Sequence, residues 1–212
     1  MKKKINRFRK TLLMLAVLKI IFVLSLFLSF ILWSFPIISL NSNVWSSFQD
    51  RSGVVLNSTD TKNFNDRVID FFFNNIPLNF LNANESGHMQ DVRNVLLVVN
   101  GLALFSFTLV ISNFIYLSKV DKRFLLESVR KISLIVFCIT LMFSFLLLTN
   151  FYIVFTYFHE LVFVKNFVFP SSSLLKILYP DEFFYQISAF YVLSVMAVSL
   201  VVTIVAHKLK LK

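Results

Sequence analysis

Cysteine is almost missing from this chain, occurring once in 212 residues. A lone Cys138 can close no intramolecular disulfide and cannot build a zinc cluster, and its mid-span position reads as a small buried hydrophobe. No cysteine closely follows the first apolar stretch, so the protein does not read as a lipoprotein itself. Glycine occurs three times and proline four. That scarcity excludes a Gly-rich phosphate loop and a GxSxG nucleophile elbow. Charged residues make up only 15% of the chain, well under the roughly one quarter typical of soluble domains. No internal repeat or low-complexity linker is present.

Hydrophobic residues fill the space those absences leave. They form 57% of the chain, 27 of them phenylalanine, and mean hydropathy is +0.75. Four stretches, Thr11–Phe35, Val95–Leu117, Ile132–Phe158 and Ile187–Ala206, reach the ~20 apolar residues needed to cross about 30 Å of hydrocarbon. The first is too long for a signal sequence and no small-x-small cleavage site follows it. The expected fold is therefore an all-α integral membrane protein. Residues 1–212 make a single polytopic domain with four transmembrane helices and two extracellular segments, 37–94 and 159–186, that carry interfacial or re-entrant elements.

Basic residues set the expected orientation. Six precede the first span, five (Lys119, Lys122, Arg123, Arg130, Lys131) separate spans two and three, and Lys208, Lys210 and Lys212 follow the fourth. The other two connections hold six in all, including Lys165, against nine carboxylates. The positive-inside rule then places both termini in the cytoplasm and residues 37–94 and 159–186 outside. The net charge of +10 is a topology signal, and no nucleic-acid partner is implied. Lys19, inside the first span near its cytoplasmic end, is expected to snorkel. Asn100, Asn113 and Asn150 are available for interhelical hydrogen bonds. With so little intramembrane charge, a transporter is disfavoured.

Within the first outer segment, the polar residues 41–65 read as exposed turns, and the sequon at Asn57 carries no weight in so Asn-rich a stretch. Arg67–Leu81 is apolar, broken at Pro77 and too short to span, so a helix lying in the interface with its phenylalanines among the headgroups is expected. In the second, Leu161–Phe169 covers half a membrane thickness, and Pro170 and Pro180 interrupt it. A re-entrant or interface-lying element fits.

The candidate chemistry lies where apolar runs meet polar sequence. His88, in SGHMQDVRN, follows a loop ended by Ser86 or Gly87 and shares a helix face with Asp91 at three-residue spacing, while Arg93 points elsewhere, toward phosphate headgroups. His159 ends span three, with Glu160 beside it and Tyr152 two turns back. The expected threading brings both histidines to one membrane face across 71 positions of sequence. His207, next to Lys208, reads as a polar anchor at the other face. His88, Asp91, His159 and Glu160 could form a two-His, two-carboxylate set. No HExxH or HxxEH helix supports it, so neither metal nor other cofactor is expected. The triplet Ser171–Ser173 after Pro170 reads as a turn. General acid–base work by unliganded imidazoles is the chemistry these residues suit.

Two blocks, HMQDVR before span two and FHE…FP…LYPDEFF after span three, together with the four-helix layout, resemble the lipoprotein intramolecular transacylase family of Gram-positive bacterial membranes. The second block departs from the family pattern, which has a Trp-Phe-Asp-Pro-like stretch where this chain carries Phe167-Val168-Phe169-Pro170-Ser171. The resemblance implies an acyltransferase of the cell membrane acting on diacylated bacterial lipoproteins at the extracellular face. It would move the sn-2 acyl chain of the diacylglyceryl cysteine to that cysteine's α-amine and leave a lyso-form lipoprotein. It further implies His88 and His159 as catalytic residues, supported by Asp91, Arg93, Glu160 and Tyr152, in a pocket roofed by Arg67–Leu81 and Leu161–Phe184. The competing expectation is a non-catalytic membrane subunit or sensor that binds a partner or lipid through its outer loops.

Overall fold

The computed structural model describes residues 2–54, 58–163 and 168–210, and among these the regular elements are all helices, without strands. The elements are α1 (Lys2–Leu32), α2 (Phe35–Ser39), α3 (Ser42–Arg51), α4 (Ser58–Asn74), α5 (Ala83–Val120), α6 (Lys122–Val162), α7 (Leu174–Leu178) and α8 (Asp181–Lys210). Four helical stretches, Arg9–Ser39, Ala83–Val120, Lys122–Val162 and Asp181–Leu209, are long and apolar enough to cross a membrane, and each contains one of the expected spans. The protein is a multi-pass membrane protein. Asn57, Lys165, Phe167 and Lys212 lie outside the described residues.

Packing divides the chain into two units, and α5, α6 and α8 contribute to both. One comprises Met1–Trp33, Leu102–Ile139 and Val195–Lys212. Here Phe22, Leu117, Ser133 and Ser199 are fully enclosed, and Ser133 and Thr203 share a hydrogen bond of 2.8 Å. Small polar residues let helix backbones approach closely, where lipid supplies no hydrophobic drive for association. The Lys19 ammonium meets Asp121, in the α5–α6 connection, at 2.6 Å and lies 4.6 Å from the Phe124 ring centre. That hydrogen bond, helped by the Phe124 N–H, holds the Asp121 carboxyl below the usual carboxylate range. Cys138 is exposed on α6 instead of buried. In a bilayer the outside of a bundle is as apolar as its inside, so a mid-span hydrophobe gains nothing by turning inward.

The second unit comprises Ser34–Gly101 and Thr140–Ser194. Its core joins Trp45, Phe48, Val68, Phe71, Phe72, Leu78, Met89, Leu175, Leu178, Tyr179 and Phe183. Fully burying a large apolar side chain contributes on the order of 1.5–3 kcal/mol. The described residues of 41–65 lie mostly in α3 and α4 instead of in exposed turns. Asn41 caps α3 by accepting from the N–H groups of Asn43 and Val44, and α4 presents Thr61, Asn65, Val68 and Phe72 to the interior at helical spacing. Half of that inward face is polar, and hydrogen bonds compensate. Asn65 Nδ2 donates to Gln49 Oε1 at 2.6 Å, Gln49 Nε2 to the Leu178 carbonyl at 2.7 Å, and the Tyr179 hydroxyl to Asn65 Oδ1 at 2.9 Å. Burial pushes the Tyr179 phenol well up, so it stays a neutral donor.

The helix expected over Arg67–Leu81 begins earlier, at Ser58, and stops at Asn74, where Asn75 takes a left-handed conformation (φ 56°). Phe71 and Phe72 point into the core, not toward headgroups, because Trp45 and Leu178 offer a protein surface to cover; Phe73 and Ile76 remain exposed. Of the three intramembrane asparagines, Asn100 bonds across to Ser39 Oγ at 3.5 Å, whereas Asn113 donates to its own helix. Asn150 donates to neighbouring Thr149 and breaks α6 with non-helical torsions (φ −144°, ψ 40°).

Candidate active site

Two helix ends in this second unit carry the histidines. α5 starts at Ala83, before the Ser86–Gly87 boundary expected from sequence, because Asn82 and Glu85 form a reciprocal cap. Asn82 Oδ1 accepts from the Glu85 N–H at 3.0 Å, and Glu85 Oε2 accepts from the Asn82 N–H at 3.1 Å. The other oxygen, Oε1, accepts from the Leu175 N–H at 3.3 Å, in the first turn of α7. One buried carboxylate therefore serves two helix starts, and His88 stands one turn beyond it. Sequence reasoning missed Glu85. The signal available was the Asn-x-x-Glu spacing ahead of an apolar run.

Glu85→Ala strips the acceptor from two backbone donors, each costing about 1–3 kcal/mol if left buried and unpaired. Thermal unfolding in detergent, followed by tryptophan fluorescence, should show a clear fall in midpoint, with Glu85→Gln between Ala and the parent. An alanine variant as stable as the parent would show that the shared carboxylate holds nothing.

His159 occupies the last turn of α6, 9% exposed. Its Nδ1 lies 2.8 Å from the Phe155 carbonyl oxygen. A carbonyl can only accept, so Nδ1 carries the hydrogen, and in the neutral ring the lone pair belongs to Nε2. The His88 ring stacks against that of His159, with centroids 6.4 Å apart and planes 24° from parallel. His88 Nδ1 is buried and has no partner among the described residues. Phenylalanines wall the pair: Phe163 and Phe169 lie 4.9 and 5.3 Å from the His88 ring, and Phe155 and Phe158 lie 4.0 and 5.4 Å from the His159 ring. Lys176 and Asp181 pair with each other.

The remaining site candidates are placed differently. Asp91 and Glu160 are exposed. Arg93 is committed to structure, its Nε donating to the carbonyls of Phe71 and Phe72 at 3.1 and 2.9 Å, where it caps α4. Tyr152 is 69% exposed. Among the described residues no group of three or more His, Cys, Asp or Glu side chains is arranged to hold a metal ion. Ser173 accepts from the Lys176 N–H and caps α7, as a turn residue would.

The family model described as "Lipoprotein intramolecular transacylase Lit" matches residues 11–184. No curated protein matches. Among solved structures, the membrane integral lipoprotein intramolecular transacylase Lit from Bacillus cereus superposes with a TM-score of 0.78 at 18% identity, over 92% of this chain and 94% of that one. A histidine-to-arginine variant of the same protein gives 0.73 at 18% identity over 99% and 96%, and a histidine-to-alanine variant 0.72 at 18% over 96% of each chain.

Proposed function

This chain belongs to the lipoprotein intramolecular transacylase family and is a membrane acyltransferase; from that premise we propose that it moves an sn-2 acyl chain from glycerol oxygen to the α-amine of the same diacylglyceryl cysteine. Family membership sets aside the non-catalytic subunit reading. The observation that carries the proposal is the stacked imidazole pair, 6.4 Å apart inside a phenylalanine wall. Donor ester and acceptor amine sit on one molecule, so positioning alone supplies a high effective concentration and no acyl-enzyme is needed.

His88 has the ring nitrogen not already spent on a structural bond, which suits an acid–base. It takes a proton from the α-amine as the nitrogen attacks the ester carbonyl. The tetrahedral oxyanion then collapses, the carbon–oxygen bond to glycerol breaks, and His88 returns the proton to the leaving alkoxide. His159, fixed through Nδ1 to the Phe155 carbonyl, stabilises the oxyanion or positions the glyceryl group. Apolar walls disfavour water as a competing nucleophile and so favour transfer over hydrolysis. Asp91 supports the charge on His88. Glu160, Tyr152 and Arg93 support the site from further away, Arg93 by holding the end of α4.

Mass spectrometry of a lipoprotein's N-terminal peptide, in cells with and without this gene, tests the reaction. The expected product keeps its total acyl count but carries one chain on nitrogen and one on glycerol; an unchanged peptide, or one that has lost a chain to hydrolysis, would refute it. The distribution of basic residues supports both termini in the cytoplasm and the histidine pair at the outer face. In a Cys138→Ala background, which should stay active because no thioester forms, Ser47→Cys and Ser172→Cys should react with an impermeant thiol reagent added outside and Lys122→Cys should not. Labelling of Ser47→Cys and Ser172→Cys from opposite sides would overturn that topology.

A further inference from the structure

One cavity has no role in the proton transfers proposed for the histidines. It measures about 330 Å³, and its lining includes Asn82, Asn84, Phe169, Pro170, Ser172 and Ser173. Phe169 belongs to both places, because the ring that lines this cavity also packs 5.3 Å from the His88 ring centre. None of the described residues that line it is charged. What the cavity offers is amides and hydroxyls, and asparagine side chains can donate and accept at once, as a peptide backbone does. Asn82 Oδ1 and Ser173 Oγ are committed to helix caps, which holds those side chains in place; Asn84 and Ser172 are exposed.

Resting on the proposed reaction at His88, we infer that this cavity holds the backbone of the substrate polypeptide just after the acylated cysteine. If the cysteine amine meets His88, the chain that continues from that cysteine must leave across neighbouring protein surface. The polar surface joined to His88 through a shared ring is this one. Recognition through backbone groups is also what an enzyme needs if its substrates share a lipidated cysteine and differ afterwards. Two or three neutral hydrogen bonds correspond to about tenfold in binding.

The test compares three synthetic substrates, each with diacylglyceryl cysteine and a free amine, assayed in detergent with the full-length protein. One ends at cysteine as its methyl ester, one continues for four residues, and one is that pentapeptide N-methylated at residues two and three. The unmodified pentapeptide should be preferred in kcat/KM about tenfold over the other two, and the preference should survive changes in the side chains at residues two to four. In Asn84→Leu and in Ser172→Val the ratio between pentapeptide and methyl ester should fall toward one. The ratio is internal to each preparation, so partial misfolding does not produce it. The N-methyl substrate tests the idea on the unaltered protein should the variants not fold. Equal rates on all three substrates overturn the inference while leaving the acyl transfer intact; equal losses on pentapeptide and methyl ester in the variants also overturn it and assign the cavity to the glyceryl headgroup. No turnover of any substrate by the unaltered protein refutes the proposed reaction itself.

Discussion

His88→Ala and His88→Gln should each lose about 10²–10⁴-fold in the rate of lyso-lipoprotein formation, the usual contribution of a positioned general acid–base. Gln occupies similar space and can hydrogen-bond but cannot carry the proton through a turnover, so it separates proton transfer from packing. His88 stands one turn inside α5, downstream of the Asn82–Glu85 cap, and its Nδ1 makes no hydrogen bond to the described residues, so neither substitution removes one there. Both variants should therefore reach the membrane in normal amount and elute normally in detergent. Lyso-form product at the parental rate from either variant would remove His88 from the mechanism.

His159→Ala should be similarly impaired, and the His88→Ala/His159→Ala double variant should be hardly slower than the worse single one. Groups that act on one transition state fail together, so their separate losses do not multiply. The rings are 6.4 Å apart, and the Phe155 carbonyl 2.8 Å from His159 Nδ1 fixes that ring's orientation. Single-turnover rates for the four proteins provide the measurement. A double-variant loss equal to the product of the two single losses would mean that the histidines work independently, and the shared-site mechanism would fail. His207→Ala, at the far end of α8, serves as the control and should leave the rate alone.

Sequence by itself determined the class of this protein, its four helices and the two histidines worth testing. Crossing hydrocarbon requires every backbone group to bond within its own segment, so length and hydropathy suffice to find a helix that spans. Threading then brings His88 and His159 toward one face. Hydropathy could not tell which side of a span turns inward, and Cys138, exposed on α6, shows why: lipid and protein interior attract it equally. Nor could it find the second unit's core. Gln49 and Asn65 read as loop residues, yet both are fully buried, because partners come from far along the chain. The Gln49 bond to the Leu178 carbonyl spans 129 positions and the Tyr179 bond to Asn65 spans 114. Burial of a polar group is decided by whether a partner arrives, and partners of that separation exist only once the chain has folded. Tertiary structure likewise decided that Glu85 would be shared between α5 and α7 and that Arg93 would cap α4. It also decided that the two imidazoles would stand stacked behind phenylalanine with one nitrogen uncommitted.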